Sequence, residues 1–148
     1  MAYDVSGFGG VVNIVASNTF PSGFTITQFS NDADPMDFAA VRFADIAMGV
    51  NGDLIVWAKA VALPFVVSVI PGGPDDINLQ ILADANRAAQ GKVSAADVIT
   101  ATVIYPDSSQ VQLNLGRITD ASFGKGISGE GRIKTRVYTF QFQTKTGF

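Results

Sequence analysis

A mainly β domain is predicted, an antiparallel sandwich or barrel of about eight strands with one helix and a long protruding hairpin. Three observations carry it. Short alternating or apolar runs recur along most of the 148 residues, each closed by Gly, Pro or Asn/Asp. A single stretch, Asp75–Gln90, has helical spacing and start and stop signals. And Ala40 to Ala60, AVRFADIAMGVNGDLIVWAKA, has Asn51-Gly52 at its centre, a strong hairpin signal because a two-residue I′ turn needs positive φ at both positions. With no internal repeat, no low-complexity tract and the length of one domain, residues 1–148 read as one unit with a flexible arm over 1–10.

The elements follow in order. Met1 to Gly10 is a loose arm, since Gly7, Gly9 and Gly10 leave it unconstrained. Val11 to Ala16 is a first strand, Pro21-Ser22-Gly23 a turn, and Phe24 to Phe29 a second strand. Asn31 to Asp37 is an acidic loop. In the hairpin a two-residue turn sets Val50 against Asp53, Met48 against Ile55 and Ile46 against Trp57. One face then carries Ile46, Met48, Val50, Ile55 and Trp57, the other Phe43, Ala47, Leu54, Val56 and Ala58. Two apolar faces need two covers. Either the hairpin is central in a two-layer core, or a second copy of the chain supplies a cover.

Phe65 to Ile70 is a strand bounded by Pro64 and ended by Pro71-Gly72-Gly73-Pro74. The helix Asp75–Gln90 is capped by Asp75 or Asp76, presents Ile77, Ile81, Leu82, Ala85, Ala88 and Ala89 as its apolar stripe, and stops at Gly91. Val98 to Tyr105 is a strand. Val111, Leu113 and Leu115 alternate with polar neighbours in another, which bends at Gly116 before Ile118 to Phe123. Gly124 to Gly131 is a glycine-rich loop. A long last strand follows, with Arg136, Tyr138, Phe140 and Phe142 on one side.

Composition limits the chemistry. Cys and His are both absent, which removes disulfides, thiol catalysis, a Ser-His-Asp triad and the usual zinc, copper and iron ligand sets. Hydrophobic residues make up 47 % and mean hydropathy is +0.28, which favours an oligomer. Net charge is −3, against nucleic-acid binding by bulk charge. The charge is uneven: residues 1–116 carry 4 basic and 11 acidic side chains, residues 117–148 carry 6 and 2. That asymmetry fits a solvated basic strand, or head-to-tail association of copies. MAYDVSGFGG has neither the basic nor the apolar part of a secretory signal, and Leu54 to Ile70 reads as two strands, so no membrane segment is expected.

Four motifs invite a site. Gly124-Lys125-Gly126-Ile127-Ser128-Gly129 matches GxGxxG, yet a dinucleotide fold needs a helix after it and here a strand follows. Asp32, Asp34 and Asp37 are the only acidic cluster for a hard cation, without the glycine and final Glu of an EF-hand. Tyr138, Phe140 and Phe142 beside Lys134, Arg136 and Lys145 suit base stacking or, better, a buried strand face. Trp57, the lone Trp, is a core or interface residue. No cofactor, metal or catalytic group is assigned.

The order of elements resembles the tail tube proteins of bacteriophages with contractile tails, whose fold type VI secretion inner tubes share. Three stretches carry the resemblance: FADIAMGVNGDLIVWAKA with its Gly-x-x-Gly turn at Gly49 and Gly52, FVVSVIPGGPDDINLQIL, and GRITDASFGKGISGEGRIKTRVYTFQFQ. It implies a structural subunit without catalysis, forming hexameric rings that stack into a tube for DNA ejection, in a virion tail made in the bacterial cytoplasm. Implied partners are further copies of the chain and the tail sheath, tape-measure and baseplate hub proteins, with viral DNA passing unbound through the lumen. Carried over to this sequence, Met48, Val50, Asn51, Gly52, Asp53 and Leu54 become inter-ring candidates, with Ile55 and Trp57 beside them. The arm 1–10 and the tail Lys145 to Phe148 become interface candidates. The alternatives are another ring of the tail, terminator or baseplate, and a small β-barrel that binds an apolar ligand or single-stranded nucleic acid.

Overall fold

In the computed structural model, which describes residues 8–31 and 34–147, alternation along the strands turns every second side chain to one face of an open sheet. The strands are β1 (Val11–Ala16), β2 (Phe20–Ile26), β3 (Met36–Asp37), β4 (Ala44–Met48), β5 (Leu54–Ala58), β6 (Leu63–Val69), β7 (Ile99–Ile104), β8 (Gln110–Ala121) and β9 (Arg136–Gly147), with one helix, α1 (Pro74–Asn86). Seven form an antiparallel sheet in the order β2-β1-β7-β8-β9-β6-β3. β4 and β5 pair only with each other. The fold is therefore mainly β, antiparallel and single-helix as expected, with a sheet that does not close into a barrel.

The core is the inward set of these strands: Val12 and Ile14, Phe65 and Val67, Ala101 and Val103, Leu113, and above all Tyr138, Phe140 and Phe142. Leu79 and Leu82 of α1 complete it. The aromatic stripe of β9 is thus fully buried and offers no platform to a nucleic-acid base. β9 begins at Arg136, and Ile133 ahead of it makes only an isolated bridge with Ile127.

Several local expectations are corrected. The turn between the first two strands is Ser17–Thr19, and Pro21 to Gly23 lies inside β2. The cause is remote: Asp97 accepts hydrogen bonds from the amides of Asn18 (2.7 Å) and Thr19 (2.9 Å) and from the Thr19 hydroxyl. Pro21 is tolerated because β2 is an edge strand. Burial pushes the Asp97 carboxyl up, but hydrogen bonds from Thr19, Asn86 and Asn18 outweigh it and hold the group below its ordinary 3.8.

The helix is shorter and turned differently from the reading Asp75–Gln90. Gly73 is its N-cap, and neither Asp75 nor Asp76 caps it. Asp75 instead accepts from the amides of Thr27 and Gln28 (both 2.9 Å), and Asp76 from the amide of Gly72 (2.9 Å) and the Tyr138 hydroxyl (2.7 Å). Both acids are buried, and these anchors rotate Leu79 and Leu82 inward while Ile77 and Ile81 face out. The helix stops at Asn86 because that side chain bonds the Leu82 carbonyl (2.9 Å) and both donates to and accepts from Asp97. Lys92 then folds back onto the carbonyls of Asp84 and Arg87.

β8 runs through Gly116 without ending there. A β-carbon at Gly116 would fall within the ring of Phe142 and 2.9 Å from the Gln141 carbonyl oxygen. The glycine lets β9 and its aromatic ring lie flat on β8. Gly116→Ala is expected to destabilise the fold by about 1–3 kcal/mol through overpacking, read as a lower urea midpoint. An unchanged midpoint would mean that Phe142 has room to move.

Candidate assembly surface

The hairpin of β4 and β5 stands apart from the sheet, and its geometry follows from its loop. The Gly49 amide bonds the Asp53 carbonyl (2.7 Å) and the Gly52 amide bonds the Gly49 carbonyl (3.0 Å), so Val50, Asn51 and Gly52 form a three-residue loop. Gly52 has φ +90°, whereas Asn51 is not in the left-handed region. This is a type I turn with a left-handed glycine after it, the second commonest kind of hairpin connection, in place of the expected two-residue turn.

One extra loop residue changes every pairing. Met48 faces Leu54, Ala47 faces Ile55, Ile46 faces Val56 and Asp45 faces Trp57. The faces are re-sorted accordingly. One carries Ala44, Ile46, Met48, Leu54, Val56 and Ala58 and is wholly apolar. The other carries Phe43, Ala47, Ile55 and Trp57 with Asp45 among them. Asp45 there accepts from Lys59 (2.6 Å) and Arg42 (3.0 Å), two cations on one carboxylate. This trio was missed in the sequence. The Gly49-x-x-Gly52 spacing was the available signal, since it places a left-handed glycine last in a three-residue loop and thereby brings Asp45 opposite Trp57.

All eight candidate interface residues, Met48, Val50, Asn51, Gly52, Asp53, Leu54, Ile55 and Trp57, are exposed and lie together on this hairpin. Trp57 is 48 % exposed, Ile46 and Met48 each 65 %. Among the described residues the hairpin is therefore not a central one covered on both faces, and Trp57 is not a core residue. A free two-stranded ribbon is marginal in water, and a contiguous apolar surface on it is unusual for a monomer.

The other candidates fare differently. Phe8 to Gly10 of the arm are described, with Phe8 exposed, and residues 1–7 lie outside the described residues. Lys145 to Gly147 are not a free tail: they pair with Val111 to Leu113 in the sheet, and Phe148 lies outside the described residues. Of the acidic cluster, Asp32 lies outside them too, and among the described residues no group of three acidic side chains gathers to hold a metal. Gly124 to Gly129 belongs to a small hairpin, with the Ser128 amide on the Arg132 carbonyl (2.9 Å) and the Lys134 amide on the Gly126 carbonyl (2.8 Å). With a strand after it, it has no helix N-terminus to meet a pyrophosphate. No helix among the described residues is long and apolar enough to cross a membrane.

A second surface lies across the body. The C-terminal half of α1 and the end of β8 flank an open groove of about 500 Å³. Ala83, Ile118 and Ala121 are half-buried in its floor, and Asp84, Arg87 and Asp120 stand on its rim.

The whole sequence from residue 3 to residue 146 matches the family described as tail fiber protein gp32. No curated protein matches. Among solved structures the fold is similar to a chain of the anti-feeding prophage baseplate, with TM-score 0.58 and 11 % identity, covering 100 % of this chain and 97 % of that one. It is also similar to a chain of the sheath-tube complex of PVC, an extracellular contractile injection system in its extended state (TM-score 0.59, 10 % identity, 100 % and 93 % covered). A chain of the anti-feeding prophage tube-terminating cap gives 0.57 and 11 %, with 100 % and 93 % covered.

Proposed function

The chain belongs to the tail fiber protein gp32 family, and from that premise we propose that this tail structural protein is a ring-forming subunit that stacks into a tail tube. The exposed β4–β5 hairpin carries the reading, because neither its wholly apolar face nor its Trp57 face is covered among the described residues. Fold likeness to sheath-tube, cap and baseplate chains supports it. So do the sheet edges: β3 and the Phe29 bridge cover β6 from Val66 to Val69 and leave its start at Leu63 without an outer partner strand, and the outer edge of β2 has none either among the described residues. Neighbouring subunits join sheet to sheet around a ring, and the hairpin bridges to the next ring. The channel passes DNA without holding it, and sheath, tape-measure and baseplate proteins are the other contacts. No catalytic step is required.

Negative-stain electron microscopy of the purified protein across a range of concentrations tests this. Uniform hollow tubes or stacked rings are expected. Rings of one size that never stack would move the assignment to a terminator or baseplate ring, the second reading that the cap and baseplate likenesses favour. Monomers at every concentration would sink both.

A further inference from the structure

We propose that the Trp57 face of the hairpin docks into the α1–β8 groove of another copy of this chain. The inference rests on the self-assembly reading and names the two surfaces that meet. The chemistry of each is complementary to the other. The hairpin face presents Trp57 and Phe43 beside Lys59 and Arg42, and the two cations share the single carboxylate of Asp45. They leave an excess positive charge next to an exposed aromatic ring. The groove has the opposite pattern. Its floor sets Ala83, Ile118 and Ala121 beside the amides of Gln80 and Asn86, and its volume of about 500 Å³ accommodates a large side chain with a polar ring edge such as the indole N–H.

Asp84 stands on the helical wall of the groove and Asp120 on the strand wall. Asp84 accepts from the Gln80 amide (3.2 Å) and Asp120 from the Thr119 hydroxyl (3.3 Å), but neither has an ion-pair partner among the described residues. Against them the rim sets only Arg87. A ring entering the floor brings Lys59 and Arg42 between the two acids, so that burial of the apolar surface and pairing of the free charges happen together. The contact joins two different surfaces, so it propagates from copy to copy and does not close on a pair, as a filament requires. The wholly apolar face of the hairpin, Ile46, Met48, Leu54 and Val56, stays free for the neighbouring sheet of the ring it enters.

Reciprocal charge reversal tests this. One variant reverses the groove (Asp84→Lys with Asp120→Lys), the other the hairpin (Arg42→Glu with Lys59→Glu). All four side chains are at the surface, and circular dichroism checks that each variant is folded. Each alone is expected to raise the concentration needed for polymers by roughly tenfold or more, because like charges then face each other. An equal mixture is expected to recover assembly, since each hairpin then meets a groove of opposite charge. Recovery on mixing also shows that neither variant had misfolded. Wild-type-like polymers from the groove variant, or no recovery on mixing, would overturn the docking and give the groove to a different tail protein. Failure of the unmodified protein to assemble under every condition would overturn the self-assembly reading itself.

Discussion

Asp76→Ala is expected to destabilise the subunit by about 3–5 kcal/mol, the cost of leaving a buried charge without its counter-ion. Asp76 and Arg136 are both nearly fully buried, and the carboxylate lies 3.4 Å from Arg136 Nε. That nitrogen has no hydrogen-bond partner of its own, so Asp76 is its only compensation. The rest of the guanidinium is held by the Ser122 carbonyl (2.8 Å), the Tyr138 hydroxyl (3.2 Å) and Gln80. Burial and the hydrogen bond to Asp76 push the Tyr138 hydroxyl well above its ordinary 10.0. It therefore stays a donor at any ordinary pH. Removing the carboxylate strands the guanidinium, leaves the Tyr138 hydroxyl only its longer contacts to Gln80 (3.3 Å) and the Asp76 carbonyl (3.5 Å), and releases the Gly72 amide at the start of α1. Urea unfolding gives the check. The double variant Asp76→Ala with Arg136→Met should recover much of the loss, because it removes the stranded charge. A loss below about 1 kcal/mol for Asp76→Ala would show that water reaches the site, since exposed pairs are worth no more.

The second large effect is on assembly, with the subunit left intact. Val50→Asp and Leu54→Asp place a carboxylate on the exposed hairpin, far from the core and without a buried neighbour to disturb. The unfolding midpoint should therefore stay within about 0.5 kcal/mol of the parent. Stacking, by contrast, would have to bury an unpaired charge, and a penalty of several kcal/mol raises the threshold concentration about a hundredfold or more. Sedimentation should show folded subunits or single rings and no long polymers. Filaments of ordinary length from both variants would remove the hairpin tip from the ring-to-ring contact.

Much of this was legible because local rules suffice where local forces decide. Val11–Ala16 has the expected bounds, and the alternation of Tyr138, Phe140 and Phe142 marked the buried face of β9. What stayed hidden was set by partners distant in sequence. Asp97 reaches back almost eighty residues to organise the turn at Asn18 and Thr19, so a local reading moved that turn to Pro21. The orientation of α1 is fixed by two buried acids, and a hydrophobic stripe cannot report on residues that are inward and charged. In the hairpin the existence and position of the element were readable, its exposure was left between two alternatives by a pattern apolar on both faces, and the faces depended on whether the loop had two residues or three. The groove between α1 and β8 has no signature in either element alone.

β3 and β6 are antiparallel neighbours in the sheet, with Met36 beside Val67, and the whole hairpin is an excursion between them. Phe38 still stacks on Phe65 of the core (centroids 4.8 Å apart), and everything from residue 39 to residue 62 thus leaves and re-enters the body at one doorway. The sheet and the hairpin answer to separate constraints: one must stay packed, the other need only match what it meets outside. A short connection across that doorway should leave a folded protein that stops at subunits or single rings. A different ribbon spliced into it should leave a protein with new company. On the proposed assembly reading the segment is an exchangeable address label, one that a lineage could rewrite without reopening the question of how the chain folds.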